Sequence, residues 1–99
     1  MPQYSVCYRK DFQPFPDIDN YRASHYTFIC KCRAEDKEDC FRKMQGEIWS
    51  PNGEAKGLIR ACGTDHTSMS VGDMIIDPSG ECYMVMMFGF ELIPDRFKD

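Results

Sequence analysis

The 99-residue sequence contains no unbroken apolar run approaching the roughly 20 residues that a membrane-spanning helix needs. Its first stretch, MPQYSVCYRKDF, lacks the apolar core of a secretory leader and alternates like a strand, so no signal peptide is expected and the expected compartment is the cytoplasm. In that reducing setting Cys7, Cys30, Cys32, Cys40, Cys62 and Cys82 are expected to be thiols rather than a disulfide framework. Excess positive charge is lacking too. Sixteen acidic side chains outweigh twelve basic ones, and the net charge of −4 opposes the general attraction to phosphate on which nucleic-acid affinity rests. Paired zinc ligands are missing as well. Cys30-Lys31-Cys32 is the only close cysteine pair, no second pair follows, and His25 and His66 are the only histidines. No metal and no cofactor is expected. Internal repeats and low-complexity segments are also absent.

What is present suits one folded domain spanning residues 1–99. An apolar fraction of 42% is too high for a disordered chain, and a chain of this length closes a single core rather than two. Tyr4, Val6 and Tyr8 alternate with Ser5, Cys7 and Arg9, the period of a half-buried strand. Residues 11–22, with Pro14, Pro16 and the turn-forming Asp17-Ile18-Asp19-Asn20, read as a surface loop. From His25 to Arg33 alternation returns. It places Tyr26, Phe28, Cys30 and Cys32 on one face and His25, Thr27, Ile29, Lys31 and Arg33 on the other, as the second strand of a long-looped hairpin.

Asp36 is placed to cap a helix whose Cys40, Phe41 and Met44 share one side, and Gly46 is placed to end it. The mixed charges from Lys31 to Lys43 read as its solvated face. Pro51-Asn52-Gly53 opens a second helix, on which Ala55, Leu58, Ile59 and Cys62 recur at helical spacing before Gly63 stops it. Trp49 sits at the join, either as a lid over the core or as a contact for a ligand or partner. Met74-Ile75-Ile76, the turn Asp77-Pro78-Ser79-Gly80 and the run Glu81 to Phe88 form a hairpin; Phe90 to Ile93 adds a short last strand that Pro94 stops. The order β-β-α-α-β-β-β predicts an α+β fold in which two short helices pack on one face of an antiparallel sheet of about five strands.

The densest chemistry lies in HTSMSVGD, residues 66–73, where a histidine, three hydroxyls and a carboxylate share eight positions. His66, Ser68 and Asp73 are the residue types of a nucleophile, a base and an orienting acid. The strand-to-helix elbow that exposes a nucleophilic serine is absent, however, and no catalytic residue is assigned. Each residue also has a structural use. Asp65, Thr67, Ser68 and Ser70 can satisfy loop amides, Met69 and Val71 can point into the core, and Gly72-Asp73 suits a bend into a strand.

SMSVGDMI followed by YMVMMFGFELI resembles the C-terminal signature of YodL-like domains, small modules of phages and mobile elements, through Ser68, Ser70, Val71, Asp73, Tyr83, Val85, Phe88, Gly89, Phe90 and Ile93. The upstream stretch CFRKMQGEIWSPNGEAKGLIRACGTDHTSMSVGD is similar to small uncharacterised proteins of bacteriophages and cyanophages. The resemblance covers roughly residues 36–93 and implies a setting, not a chemistry: a phage-encoded accessory protein in a bacterial host cytoplasm. The leading expectation is therefore a non-enzymatic regulator or inhibitor that binds a host or phage protein. Its candidate contact surface is Trp49, Asn52, Glu54, His66, Thr67, Ser68 and Asp73, since recognition is carried by loops more often than by the sheets that support them. The alternatives are a nucleic-acid or nucleotide binder, and a small hydrolase or transferase using His66 and Ser68. Met84, Met86 and Met87 are open between a core position and a homodimer interface.

Overall fold

The computed structural model describes residues 1–10 and 23–93. The expected surface loop at 11–22 and the stop at Pro94 lie outside the described residues. The strands are β1 (Gln3–Arg9), β2 (Tyr26–Arg33), β3 (Met74–Ile76), β4 (Cys82–Val85) and β5 (Phe90–Leu92). A 3-10 turn, Ala23–His25, leads into β2, and the helices α1 (Lys37–Lys43), α2 (Gly46–Trp49) and α3 (Lys56–Ala61) separate β2 from β3. All strand pairs are antiparallel, in the order β2-β1-β3-β4-β5. The chain is thus the α+β protein that its pattern predicts, with one helical turn more than expected. Among the described residues no helix is long and apolar enough to cross a membrane.

The additional turn is set by a contact distant in sequence. Asp36 caps α1 as expected, its carboxylate accepting from the Asp39 amide at 2.8 Å. α1 stops at Lys43 with Met44 as its C-cap, and Gln45 is extended, so Gly46 begins α2 instead of ending α1. The Gly46 amide donates to Ser68 Oγ at 2.7 Å, and a Cβ at this position would lie 3.0 Å from that oxygen. Glycine is needed here for close approach.

Alternation holds along β1. Tyr4, Val6 and Tyr8 join the main buried cluster with Cys40, Met44, Ile59, Met69, Ile75 and Val85 on the helix side of the sheet. Cys7 faces the other way, into a second cluster with Tyr26, Met74, Cys82, Met84 and Ile93. Both faces of the sheet are therefore apolar, which explains why β3 and β4 read as nearly continuous apolar runs. Met84 belongs to the core, whereas Met87 is exposed.

In β2 the expected facing is corrected. Val6 pairs with Cys30 and Cys7 with Phe28, which leaves Ile29 as the extra residue of a bulge. One inserted residue reverses the phase of everything before it. Tyr26 therefore faces the second cluster, Phe28 is 54% exposed, and Ile29 is buried with Cys32 in the main cluster.

The β3–β4 turn forms as the sequence predicts: Asp77 Oδ1 accepts from the amides of Ser79 at 3.0 Å and Glu81 at 2.9 Å. β4 ends at Val85, three residues sooner than expected, because Met86 turns the chain by donating to the Gly89 carbonyl at 2.9 Å. The bulge makes a direct prediction. Ile29→Ala is expected to cost about 2–5 kcal/mol, and Phe28→Ala less than about 1 kcal/mol, in urea unfolding; the reverse ranking would restore simple alternation.

Candidate functional site

The connector between α3 and β3 holds most of the expected site residues. Gly63, at φ +80°, closes α3. Ten residues on, Asp73 is only 1% exposed. A carboxylate this deep requires hydrogen-bond partners, since an unpaired buried charge is strongly unfavourable. It has three: the Arg9 amide donates to Oδ1 at 2.7 Å, the Ser70 amide donates to Oδ2 at 2.8 Å, and His66 Nε2 lies 2.9 Å from Oδ2. The carboxylate thereby ties the end of β1, the connector and the start of β3 together.

His66 is held on both edges and on one face. Its ring stacks on Tyr8, with centroids 4.7 Å apart and planes 14° from parallel. Its Nδ1 lies 3.1 Å from Thr64 Oγ1, whose hydroxyl donates to the Arg9 carbonyl at 3.0 Å. A hydroxyl has one proton to give, so Thr64 accepts from Nδ1–H, while Nε2 faces a carboxylate and must also donate. With both protons on the ring, as an imidazolium, His66 donates to Thr64 and to Asp73 at once. Its hydrogen bond to Asp73 raises its pKa above the ordinary 6.5, against burial, with the Asp73 charge and the Asp65 carboxylate adding to the rise.

The remaining bonds also point inward. The Thr67 carbonyl accepts from Tyr8 Oη at 2.7 Å and from Trp49 Nε1 at 3.0 Å. Trp49, half-buried against the main cluster, thus takes the lid position foreseen for it. Ser68 Oγ accepts from Gly46, Ser70 Oγ donates to the Ser68 carbonyl at 3.1 Å, and Tyr26 Oη donates to the Gly72 carbonyl at 2.7 Å. Met69 is buried, but Val71 is only half so.

Five of the seven expected contact residues, Trp49, His66, Thr67, Ser68 and Asp73, therefore converge, and they do so to build the connector. Asp73 is corrected from a surface contact to an internal anchor, because its oxygens are buried and shared among three donors. Asn52 and Glu54 stand apart in an exposed turn, where the Glu54 carboxylate accepts from the Asn52 amide at 3.0 Å.

A nucleophile needs a base with a free lone pair. Ser68 is bonded to Gly46, and both nitrogens of His66 are engaged by Thr64 and Asp73. Thr64, His66 and Asp73 line up as a hydroxyl, an imidazole and a carboxylate, but the Thr64 proton goes to Arg9 and the residue is buried. The line is a strut. Beside it, a cleft of about 330 Å³ is lined by Lys56, Arg60, Thr64, Asp65 and Thr67, among others. Among the described residues no group of three or more His, Cys, Asp or Glu side chains is placed to hold a metal.

A different surface escapes the sequence reading. At the β4–β5 hairpin Met87 is 64% and Phe88 94% exposed, beside an apolar cleft of about 230 Å³ lined by Glu38, Phe41, Val85, Met86, Met87, Gly89 and Phe90. Phe41 and Phe90 meet edge to face across it, 6.4 Å apart. Reading Met86 to Gly89 as a turn instead of a strand continuation would have located it, with Gly89, at φ +83°, as the signal.

Comparison of the chain with protein-family models, curated proteins and solved structures finds no match.

The strut predicts a pH dependence. Because the folded pKa of His66 is raised, its stabilisation is whole below about pH 6.5 and is lost as the pH rises through the higher folded value. Urea midpoints measured from pH 5 to 9 are expected to show this fall in the wild type and not in His66→Gln. Asp73→Asn is expected to abolish it as well and to cost about 3–5 kcal/mol, as breaking a buried pair does.

Proposed function

We propose that the protein is a non-enzymatic binding module that docks on a partner protein through the β4–β5 hairpin. One observation carries the proposal: Met87 and Phe88 project into water next to an apolar cleft. Leaving a phenylalanine in water forgoes roughly 1.5–3 kcal/mol of burial, and nothing in the turn requires an aromatic there. Tight hairpin tips favour Asn-Gly or Asp-Gly, and here Gly89 takes the left-handed conformation, leaving positions 87 and 88 open to polar residues. A contiguous exposed apolar patch beside a polar rim is the mark of an interaction surface.

The connector favours this reading from the other side. The hydroxyls of Thr64, Ser68 and Ser70, both His66 nitrogens and the Asp73 carboxylate are bonded within the fold, which favours rigidity of the scaffold over an active site. A bilayer is a poor occupant for the hairpin, because Glu38 lines the cleft and the net charge of −4 is repelled by anionic headgroups. The setting implied by the resemblance to phage modules, an accessory protein in a bacterial cytoplasm, supplies a role as a regulator or inhibitor of a host or phage protein.

Affinity capture from bacterial lysate tests the proposal. The wild type is expected to retain a stoichiometric partner that the double variant Met87→Ser/Phe88→Ser loses, while the variant's unfolding free energy changes by less than about 1 kcal/mol. A wild type without a partner, or a folded double variant that captures the same protein, would overturn it.

A further inference from the structure

The edge beside this hairpin carries a second kind of complementarity. Met86 and Gly89 are bonded across the hairpin, as are Ile93 and Cys82, each at 2.9 Å. Hydrogen-bonded pairs alternate in an antiparallel ladder, so Glu91, opposite Met84, bonds inward to β4. Phe90 and Leu92 therefore turn their amides and carbonyls outward, where no other strand among the described residues pairs with them. Among the described residues β5 is a sheet edge open to strand addition.

Side chains along the edge alternate in chemistry. Phe90 packs on the helix-side cluster next to Phe41, and Leu92, two residues on, shares that face and is 48% exposed. Glu91 points to the opposite face and is exposed. Glu38 lines the cleft, and further acids lie around Tyr4 and Tyr83 on the helix-side face. Burial and then the Asp36, Asp77 and Glu38 carboxylates raise the Tyr4 phenol, while desolvation followed by Glu81 and Asp77 does so at Tyr83, the partner of Leu92 in the ladder. Lys37 reaches over this face, its ammonium 4.2 Å above the Tyr83 ring.

Resting on the reading of the hairpin as a docking surface, we infer that β5 and its cleft receive an extended partner segment in which apolar and basic residues alternate. Its apolar side chains lie beside Phe90 and Leu92 and enter the cleft at Phe41. Its lysine or arginine side chains lie beside Glu91, and a flanking cation meets Glu38 at the rim. A second copy of this chain is the wrong occupant. Antiparallel self-pairing that uses both Phe90 and Leu92 sets Glu91 against Glu91, and like charges directly opposite each other are destabilising.

Selection from a random peptide display library, with the full chain as bait, tests the inference. Enriched peptides are expected to alternate apolar residues with Lys or Arg. A synthetic copy of the best is expected to lose affinity by about tenfold or more on Glu91→Lys and to regain it when its own facing Lys is changed to Glu. Enrichment of peptides without basic residues, or affinity indifferent to Glu91→Lys, would overturn the inference. The docking reading would survive if those peptides still fail on Met87→Ser/Phe88→Ser. Peptides that bind the double variant as well as the wild type would sink both. No enrichment at all, or a dimer in sedimentation that is lost on Phe90→Ser, would overturn the inference in favour of another occupant, and lysate capture would then decide the docking reading independently.

Discussion

A single buried carboxylate organises this protein. Asp73 replaces a stretch of backbone pairing: β1 and β3 pair only from Ser5 to Cys7, and beyond that point the Arg9 amide finds the Asp73 side chain instead of a strand. The same carboxylate takes the Ser70 amide and His66, so the loop that returns from the helical layer is fixed where it joins the sheet. Removing one member of such a set leaves the others buried without partners, and the penalty falls on the whole junction. Tyr8 connects this junction to the core. Its ring stacks on His66 while its hydroxyl bonds the Thr67 carbonyl, the same oxygen that accepts from Trp49. The helices are thereby seated on the sheet by polar contacts as well as by the apolar cluster between them.

Much of this architecture is legible in the sequence wherever the deciding interaction is local. The Asp36 cap, the Asp77-Pro78-Ser79-Gly80 turn and the alternation of β1 each depend on neighbours a few residues away, and each is found where the pattern places it. Non-local decisions are the ones that escape. The bulge at Ile29 arises from how β2 registers against β1, and no pattern within β2 announces it. Gly46 opens a helix because Ser68, 22 residues away, lies against it. The residues of the connector are visible by type but not by role, because burial decides whether a histidine beside an aspartate is a base or a strut. Here both nitrogens are occupied, and the strut results.

The thiols follow the same logic. Burial pushes Cys7 and Cys30 up to about 11, and Cys40 is raised further, again chiefly by burial. At neutral pH these groups are protonated and behave as small apolar side chains, filling space in both clusters. His66 is paired with Asp73, the hydroxyls of Thr64, Ser68 and Ser70 are bonded to backbone and these cysteines are neutral, so the groups of the connector serve the fold.

On the surface the β4–β5 hairpin stands out because two of its features work against each other for folding alone. A short edge strand with an outward charge at its centre is a common defence against unwanted pairing, and Glu91 with only two residues beside it meets that description. Defence would be served equally well by polar residues at the tip. Met87 and Phe88 do the opposite, adding apolar surface next to the one edge that the charge protects. Under the docking proposal the two features agree: a segment that neutralises Glu91 would gain both the edge and the apolar tip, whereas a second copy of the chain would meet its own charge. On that proposal, exclusion of self gives Glu91 a use alongside Met87 and Phe88, which folding alone does not require.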